Sequence, residues 1–415
     1  MITPSFGLTA TERVLPRLAL DFTTASLDPR ITFTRTGATA TRTNSSGYVE
    51  VMAADTPRFD FNAATLACKG LLIEEARTNL FLYSQDFSQA SWAKTNATVT
   101  SNAITSPSNS NDGFKLVETA DTGNHQTTQS PVFTNLTNYA FSCYAKAGER
   151  TKIRLHWNGT TTALKADVDL TTGQVLSGTD VTVQDAGNGW WRISKVAQRS
   201  SANALCIAIL DSSGAVSYTG DGTSGLYIWG AQFELGSFAT SYIPTTSAAL
   251  TRNADVATMT GTNFSDWFNA SEGTFVVECD ATNTSYCTAV SLNDTTANNE
   301  MRVIGWNDGS NRFSIATGGV GISPTLNGTG AWLPRTGVAV TLAASYKNTR
   351  FIYCGSAGTV ALRDPGSVAA PSVTQLIFGR SASTSFGGAM LDGHIQKFMY
   401  YKQQLTSNEV QAFSK

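Results

Sequence analysis

The stretch YAFSCYAKAGERTKIRLHWNG, residues 139–159, restricts the fold more than any other part of the chain. Tyr139, Phe141 and Cys143 alternate with Ser142, Tyr144 and Lys146. After the polar turn around Gly148, Ile153, Leu155 and Trp157 alternate with Arg154 and His156. Period-two alternation sends one set of side chains to a core and the other to the opposite face, so each half is a strand and the whole reads as a hairpin. ALKADVDLTTGQVLSG (163–178), GWWRISKVAQ (189–198), ALCIAIL (204–210) and GLYIWGAQFEL (225–235) continue in the same way. So do GTFVVECDA (273–281), GVAVTLAASYK (337–347), TRFIYCG (349–355) and TQLIFGR (374–380). Short strands repeated at about 8–12 residues indicate a sandwich or jelly roll.

Composition supports strands over helices. Charged residues are 14% of the chain, against about 25% in ordinary globular proteins. Thr, Ser, Asn and Gly supply the polarity, and these residues suit strands and tight turns. The net charge of -2 and the lack of a basic block argue against nucleic acid as a partner. No apolar run approaches the roughly 20 residues that span a bilayer, so no membrane insertion is expected. MITPSFGLTATERVLP lacks a basic head followed by an apolar stretch, so no signal peptide is expected. Cys68, Cys143, Cys206, Cys279, Cys287 and Cys354 show no CxxC spacing, which argues against a zinc site. No metal or cofactor is expected. Pairing of Cys279 with Cys287, and calcium at Asp221, stay open.

The chain divides by composition. TSYIPTTSAALTRNADVATMTG (240–261) is rich in Thr, Ser and Ala with few large apolar residues, and marks a boundary near 255. A second boundary falls near 70, after a segment too short for a large core of its own. The expected fold class is all-β: two jelly-roll or β-sandwich domains in tandem after a short N-terminal β segment. The domains are 1–69, 70–255 and 256–415, and residues 258–415 should fold alone. The last element, after Thr406, is a helix whose Thr406 and Glu409 have capping-box spacing.

The series LDF (20–22), TFTRTGATATRTNSSGYVEVMAADTPRFDF (32–61) and GLLIEEARTNLFLYSQDFSQASW (70–92) resembles the opening of head-spike fibre and tail-fibre-like proteins of tailed bacteriophages. GWWRIS (189–194) and GLYIWGAQFELGSFATSYIPTT (225–246) resemble the close of the carbohydrate-binding-like jelly roll in those proteins. GAMLDGHIQKFMYYKQQLTSNEVQAF (388–413) resembles the end of laminin-G or concanavalin-like sandwiches. The resemblance implies a virion protein, assembled in the host cytoplasm. It would attach to other virion proteins through residues 1–69, form a homo-oligomer (a trimer, as such fibres usually do) and bind host-surface glycans weakly at many copies. Two alternatives stand beside it: a purely structural decoration or adaptor protein, and a glycan-cleaving tailspike.

No catalytic residue is assigned. Glu74 and Glu75 beside Arg77 invite an acid–base reading, but neighbours on a strand point to opposite faces, so an interdomain or local ion pair is expected there. Gly220, Gly222 and Gly225 match GxGxxG, yet a strand and not a helix follows, so a nucleotide site is rejected. No GxSxG elbow occurs, and His125, His156 and His394 are read as structural or surface residues. Sugars stack on flat aromatic faces and hydrogen-bond to planar polar groups. Strand parity offers such a face in Tyr144, Lys146, Arg154 and His156, joined by Trp190 and Arg192. The competing reading puts Trp190 in the core and leaves the rest as a solvated or subunit-contact face.

Overall fold

The computed structural model describes residues 14–37, 40–157, 164–198, 204–282, 286–305, 311–322, 338–355, 360–363, 369–382 and 390–413. Strands dominate. The α-helices among the described residues are Thr262–Ser265 and Ser407–Ala412. The second carries the expected capping box: Thr406 Oγ1 accepts from the Glu409 amide, and Glu409 accepts from the Thr406 amide. The expected all-β, two-sandwich architecture is the architecture the chain adopts.

The first sandwich is continuous in sequence. One six-stranded sheet runs in the order Val181–Asp185, Trp190–Gln198, Asn138–Lys146, Gly225–Leu235, Gly113–Glu118 and Ala97–Ile104. The other runs Gln174–Ser177, Lys165–Asp169, Lys152–Trp157, Leu205–Leu210, Gln126–Gln129 and Ala93–Thr95. Phe141, Cys143, Ile153, Leu155, Trp157 and Ile193 meet in the core between them. Parity therefore identified the inward residues of 139–157 correctly. The expected hairpin did not form, however. Asn138–Lys146 pairs with Trp190–Gln198 and Gly225–Leu235, whereas Lys152–Trp157 pairs with Lys165–Asp169 and Leu205–Leu210. The chain crosses between sheets at 147–151, since alternation gives a strand's faces but not its neighbour.

The second sandwich is assembled from both ends of the chain. Its first sheet has the order Val360–Arg363, Arg350–Cys354, Val340–Lys347, Glu272–Cys279, Gly393–Tyr401, Cys68–Ile73 and Phe59–Phe61, with Leu18–Asp21 also paired to Gly393–Tyr401. Its second sheet runs Thr32–Thr34, Val256–Thr260, Gln375–Phe378, Cys287–Asn293, Glu300–Gly305, Asn311–Thr317 and Val320–Ile322. Leu18, Leu20, Phe22, Phe33, Phe59, Leu71 and Ile73 lie in the same core as Phe275, Val277, Leu292, Phe378 and Phe398. The division at 69/70 thus does not follow the sheets: strands on both sides of it belong to one sandwich. Residues 1–13 of that segment lie outside the described residues. Gly70 shows how close the union is. Its φ is 107°, and a side chain there would run into the Ile395 carbonyl oxygen of the partner strand.

The jelly roll is therefore inserted between Cys68–Ile73 and Val256–Thr260. Its two crossings are paired to each other, Arg77–Asn79 against Leu250–Arg252. The hairpin Ala40–Thr43 with Val49–Met52 reaches over from the N-terminal region. The Val49 amide donates to the Pro107 carbonyl (2.8 Å), and Thr41 Oγ1 to the Tyr242 carbonyl (2.5 Å). Cys68, Cys143, Cys206, Cys279 and Cys287 are free thiols, so Cys279 and Cys287 do not pair.

Candidate interdomain binding cleft

Glu74 follows the strand Cys68–Ile73 and enters a buried ion cluster at the junction of the sandwiches. Its carboxylate meets Arg58 (2.8 Å) and Arg252 (3.4 Å), and accepts from the Ser241 amide (2.7 Å) and hydroxyl (2.6 Å). Asp255 binds Arg58, accepts from Arg35 (3.1 Å) and takes the Glu74 amide (2.9 Å). Burial alone would raise the Glu74 carboxyl, but Arg252, Arg58 and Ser241 hold it well below the usual carboxylate range. Glu75 accepts from Arg77 Nε (2.6 Å), and the Arg77 guanidinium covers the Phe238 ring at 4.7 Å. These three residues are spent on joining the domains, and no two carboxylates among them face a common substrate.

Beside the cluster lies a cleft of about 380 Å³. The N-terminal region contributes Arg42, Asp60 and Lys69, the jelly roll Tyr144, Gln184, Asp185 and Arg192, the return segment Thr240–Tyr242, and the second sandwich Asp392 and His394. His394 is buried. Its Nδ1 lies 2.8 Å from Asp280 Oδ1 and its Nε2 3.2 Å from Asp60 Oδ2, and Lys69 pairs with Asp60 as well. Burial works against a charged imidazole, but Asp280 and the bond to Asp60 outweigh it and raise His394 above its ordinary value. Burial likewise opposes the Asp60 carboxylate, and Lys69 and His394 overrule it, holding Asp60 far below its usual range. Asp392 behaves oppositely. Burial first, and the Glu75 charge second, push it up to about 8. It accepts the Glu75 amide at 2.7 Å through Oδ1, while Oδ2 is buried with no partner, and its φ of 47° is left-handed. Asp392 and Asp60 are thus shifted in opposite directions within one cleft.

The expected sugar face divides into three. Tyr144 and Arg192 come together at the cleft, with the guanidinium 5.4 Å over the Tyr144 ring. Lys146 and Trp190 share their sheet but stand outside the cleft. Lys146 donates to the Asn188 carbonyl (2.7 Å), and Trp190 is buried and donates to Thr105 (3.1 Å). Arg154 and His156 lie on the other sheet. Arg154 forms a two-pronged pair with Asp167 (2.6 and 2.8 Å). Burial pushes His156 down to about 4, so it is neutral at physiological pH. Tyr144 itself is 6% exposed, because Trp190, Trp229 and Tyr242 pack with it in a second small core. The six residues do not form one open face.

Asp60, Lys69, Asp392 and His394 were not foreseen as site residues. Their only sequence signal is weak: an acid inside the apolar strand FDF (59–61), and a histidine two residues after an aspartate in LDGHI (391–395). Asp221 is occupied by its own turn, accepting from the Thr223 and Ser224 amides at 2.8 and 2.7 Å. The glycine pattern around it leads into the strand Gly225–Leu235.

No family model matches the chain, and no curated protein matches it in sequence. Among solved structures it is similar to the CBM40 module of a Ruminococcus gnavus IT-sialidase bound to alpha2,3 sialyllactose. The identity is 16% and the TM-score 0.29, over 35% of this chain and 84% of that one. It is similar to the NanB sialidase from Streptococcus pneumoniae at 15% identity and TM-score 0.32, over 38% of this chain and 26% of that one. It is also similar to mouse laminin alpha1 chain domains LG4-5 at 13% identity and TM-score 0.27, over 72% of this chain and 89% of that one. No ligand is carried over from any of them.

Proposed function

We propose that this protein is a non-enzymatic adhesion component of a tailed-phage virion, a fibre, spike or collar protein that binds host-surface glycans in the cleft between its sandwiches. The observation that carries the reading is the lining of that cleft. An aromatic ring, planar Arg and Gln groups and several carboxyls converge in a space of about 380 Å³, the mixture that polyhydroxylated ligands need. The order of segments in the sequence resemblance supplies the virion setting. One such site binds weakly. A homotrimer displayed at many copies gains avidity of about 10²–10⁴ when several sites engage together. The test is binding of the full chain to a glycan array, with competition by the soluble form of any glycan that binds. A chain that captures no glycan in monomeric or multimerised form sinks the adhesion reading and leaves a purely structural decoration or adaptor role.

One observation favours a second reading, a glycan-cleaving tailspike. Asp392 protonated and Asp60 ionised in one cleft have the unlike protonation that glycoside cleavage uses. Against it, Asp60 is already held by both Lys69 and His394. Release of reducing ends from a bound polysaccharide, abolished by Asp392→Asn, would establish cleavage and displace the non-enzymatic assignment.

A further inference from the structure

Cations in the cleft differ in how fully they are engaged. Arg42 pairs with Glu50 at 2.9 Å and also donates to the Phe59 carbonyl. Lys69 is bound to Asp60. Arg192 is not matched in this way. Its one side-chain hydrogen bond goes to Ser142 Oγ at 3.3 Å, its Nε is buried with no partner, and among the described residues no carboxylate pairs with it. A half-buried guanidinium left so is an unfilled fork, and the planar fork fits a carboxylate with two parallel bonds.

The strand register explains why the fork is held ready. Gln184 stands opposite Arg192 on one neighbouring strand, and Tyr144 stands opposite it on the other. The three side chains form a row across adjacent strands, about 10 Å wide at the usual strand spacing. All three line the cleft. Tyr144 supports the guanidinium from beneath at 5.4 Å. Gln184 is exposed and carries both a donor and an acceptor, which suits a ring hydroxyl. The carboxyls that would repel an acidic ligand are largely neutralised: Asp60 by Lys69 and His394, Glu74 by Arg58 and Arg252, and Asp392 by protonation at neutral pH. Asp185 also lines the cleft, with one oxygen taking the Gly187 amide at 2.8 Å.

We infer that Arg192, flanked by Gln184 and Tyr144, holds the carboxylate of an acidic sugar in the interdomain cleft. This deepens the glycan-binding reading and rests on it. The full chain is applied to an array that carries carboxylate-bearing glycans beside their carboxyl-reduced counterparts and beside sulfated neutral glycans. The expected result is preference for the carboxylate form over its reduced counterpart by about tenfold or more. Arg192→Gln removes that preference, and Arg192→Lys restores it only in part, because a point charge replaces a fork. Gln184→Ala, at an exposed position, weakens both forms alike and keeps the test intact if the Arg192 variants fold poorly. Equal binding of acidic and reduced glycans, or preference for sulfated over carboxylated ones, overturns the inference while leaving glycan binding in place. Binding to nothing on the array overturns the glycan reading itself.

Discussion

The two sandwiches have similar strand numbers but opposite relations to the sequence. Every strand of the jelly roll lies between Ala93 and Leu235, and its core adds only the adjoining Phe81, Phe87 and Trp92 to the large side chains of that span. The other sandwich cannot be closed without the strands Leu18–Asp21, Thr32–Thr34, Phe59–Phe61 and Cys68–Ile73, which precede the jelly roll in the chain. One domain can form from its own segment. The other must wait until segments more than two hundred residues apart have met, Thr32 with Thr258 and Leu18 with Tyr400, at the loop-closure cost such separations carry. The domain that looked self-sufficient from its strand count is the dependent one.

The largest effect should come from cutting the chain along these lines. Residues 76–253 are expected to give a soluble fragment with a β-type circular dichroism spectrum and a cooperative melt. Residues 258–415, which by strand patterning alone should fold, are expected to stay unfolded or aggregate, because Leu18, Leu20, Phe33, Phe59, Leu71 and Ile73 leave the core. Adding residues 14–75 as a separate chain should rescue it. A cooperative melt of 258–415 by itself would break the comparison.

Core deletions should act on one sandwich at a time. Trp157→Ala should cost the jelly roll about 3–5 kcal/mol, and Leu71→Ala should cost the other sandwich about 2–5 kcal/mol. Differential scanning calorimetry of the full chain should show each variant lowering a separate transition. A single transition shifted by both would mean the sandwiches unfold as one body.

Asp255→Ala should be next. It strips the carboxylate partner from Arg35 and one of the two from Arg58, which keeps Glu74, and breaking a buried ion pair costs about 3–5 kcal/mol. Because the cluster sits at the crossings, its loss should also widen the gap between the two transitions.

Acid should act through the same junction. Asp60, Glu74 and Asp280 are held below their ordinary values of 3.8, 4.5 and 3.8, so the unfolded chain binds more protons than the folded one as pH falls. Their contribution is complete above about pH 4.5 and is lost progressively below it. Melts between pH 6 and 3 should show both transitions falling, because Glu118 and Asp167 of the jelly roll are also held below their ordinary values. A second-sandwich transition that does not move with acid would place its acid-sensitive groups elsewhere.

The smallest effect belongs to Arg154→Ala. Its largely buried pair with Asp167 is lost, but Lys165 still holds that carboxylate, so the cost should be about 1–3 kcal/mol, and glycan binding should not change, since Arg154 lies on the sheet away from the cleft.

Strands and core residues were legible because parity is local: Phe141, Cys143, Ile153 and Leu155 needed only their neighbours to be assigned. Which sheet a strand joins was not, because Lys152–Trp157 could satisfy its edges with any partner of similar length. Tyr144 shows a further limit. It does point away from the main core, yet Tyr242 and the hairpin of Val49 cover it, and nothing near 144 signals that. The His394–Asp60 contact spans 334 residues, and no spacing rule reaches that far. Glu74 and Arg77 were legible as junction residues because adjacent opposite charges after an apolar strand have few other uses.

The paired crossings and the outer strands together set how the molecule would carry load. Leu18–Asp21 runs antiparallel to Gly393–Tyr401, with Leu18 opposite Tyr400, so tension on the flanking segments meets at one end of that pair. It would open the ladder one rung at a time, like a zipper, and not shear all its bonds at once. The jelly roll enters and leaves through Arg77–Asn79 and Leu250–Arg252, which are hydrogen-bonded side by side, so a stretching force passes it by. In mechanical terms the inserted domain is a pendant: the second sandwich yields first under pull, and the cleft wall bearing Tyr144 and Arg192 keeps its shape until the crossings themselves are drawn apart.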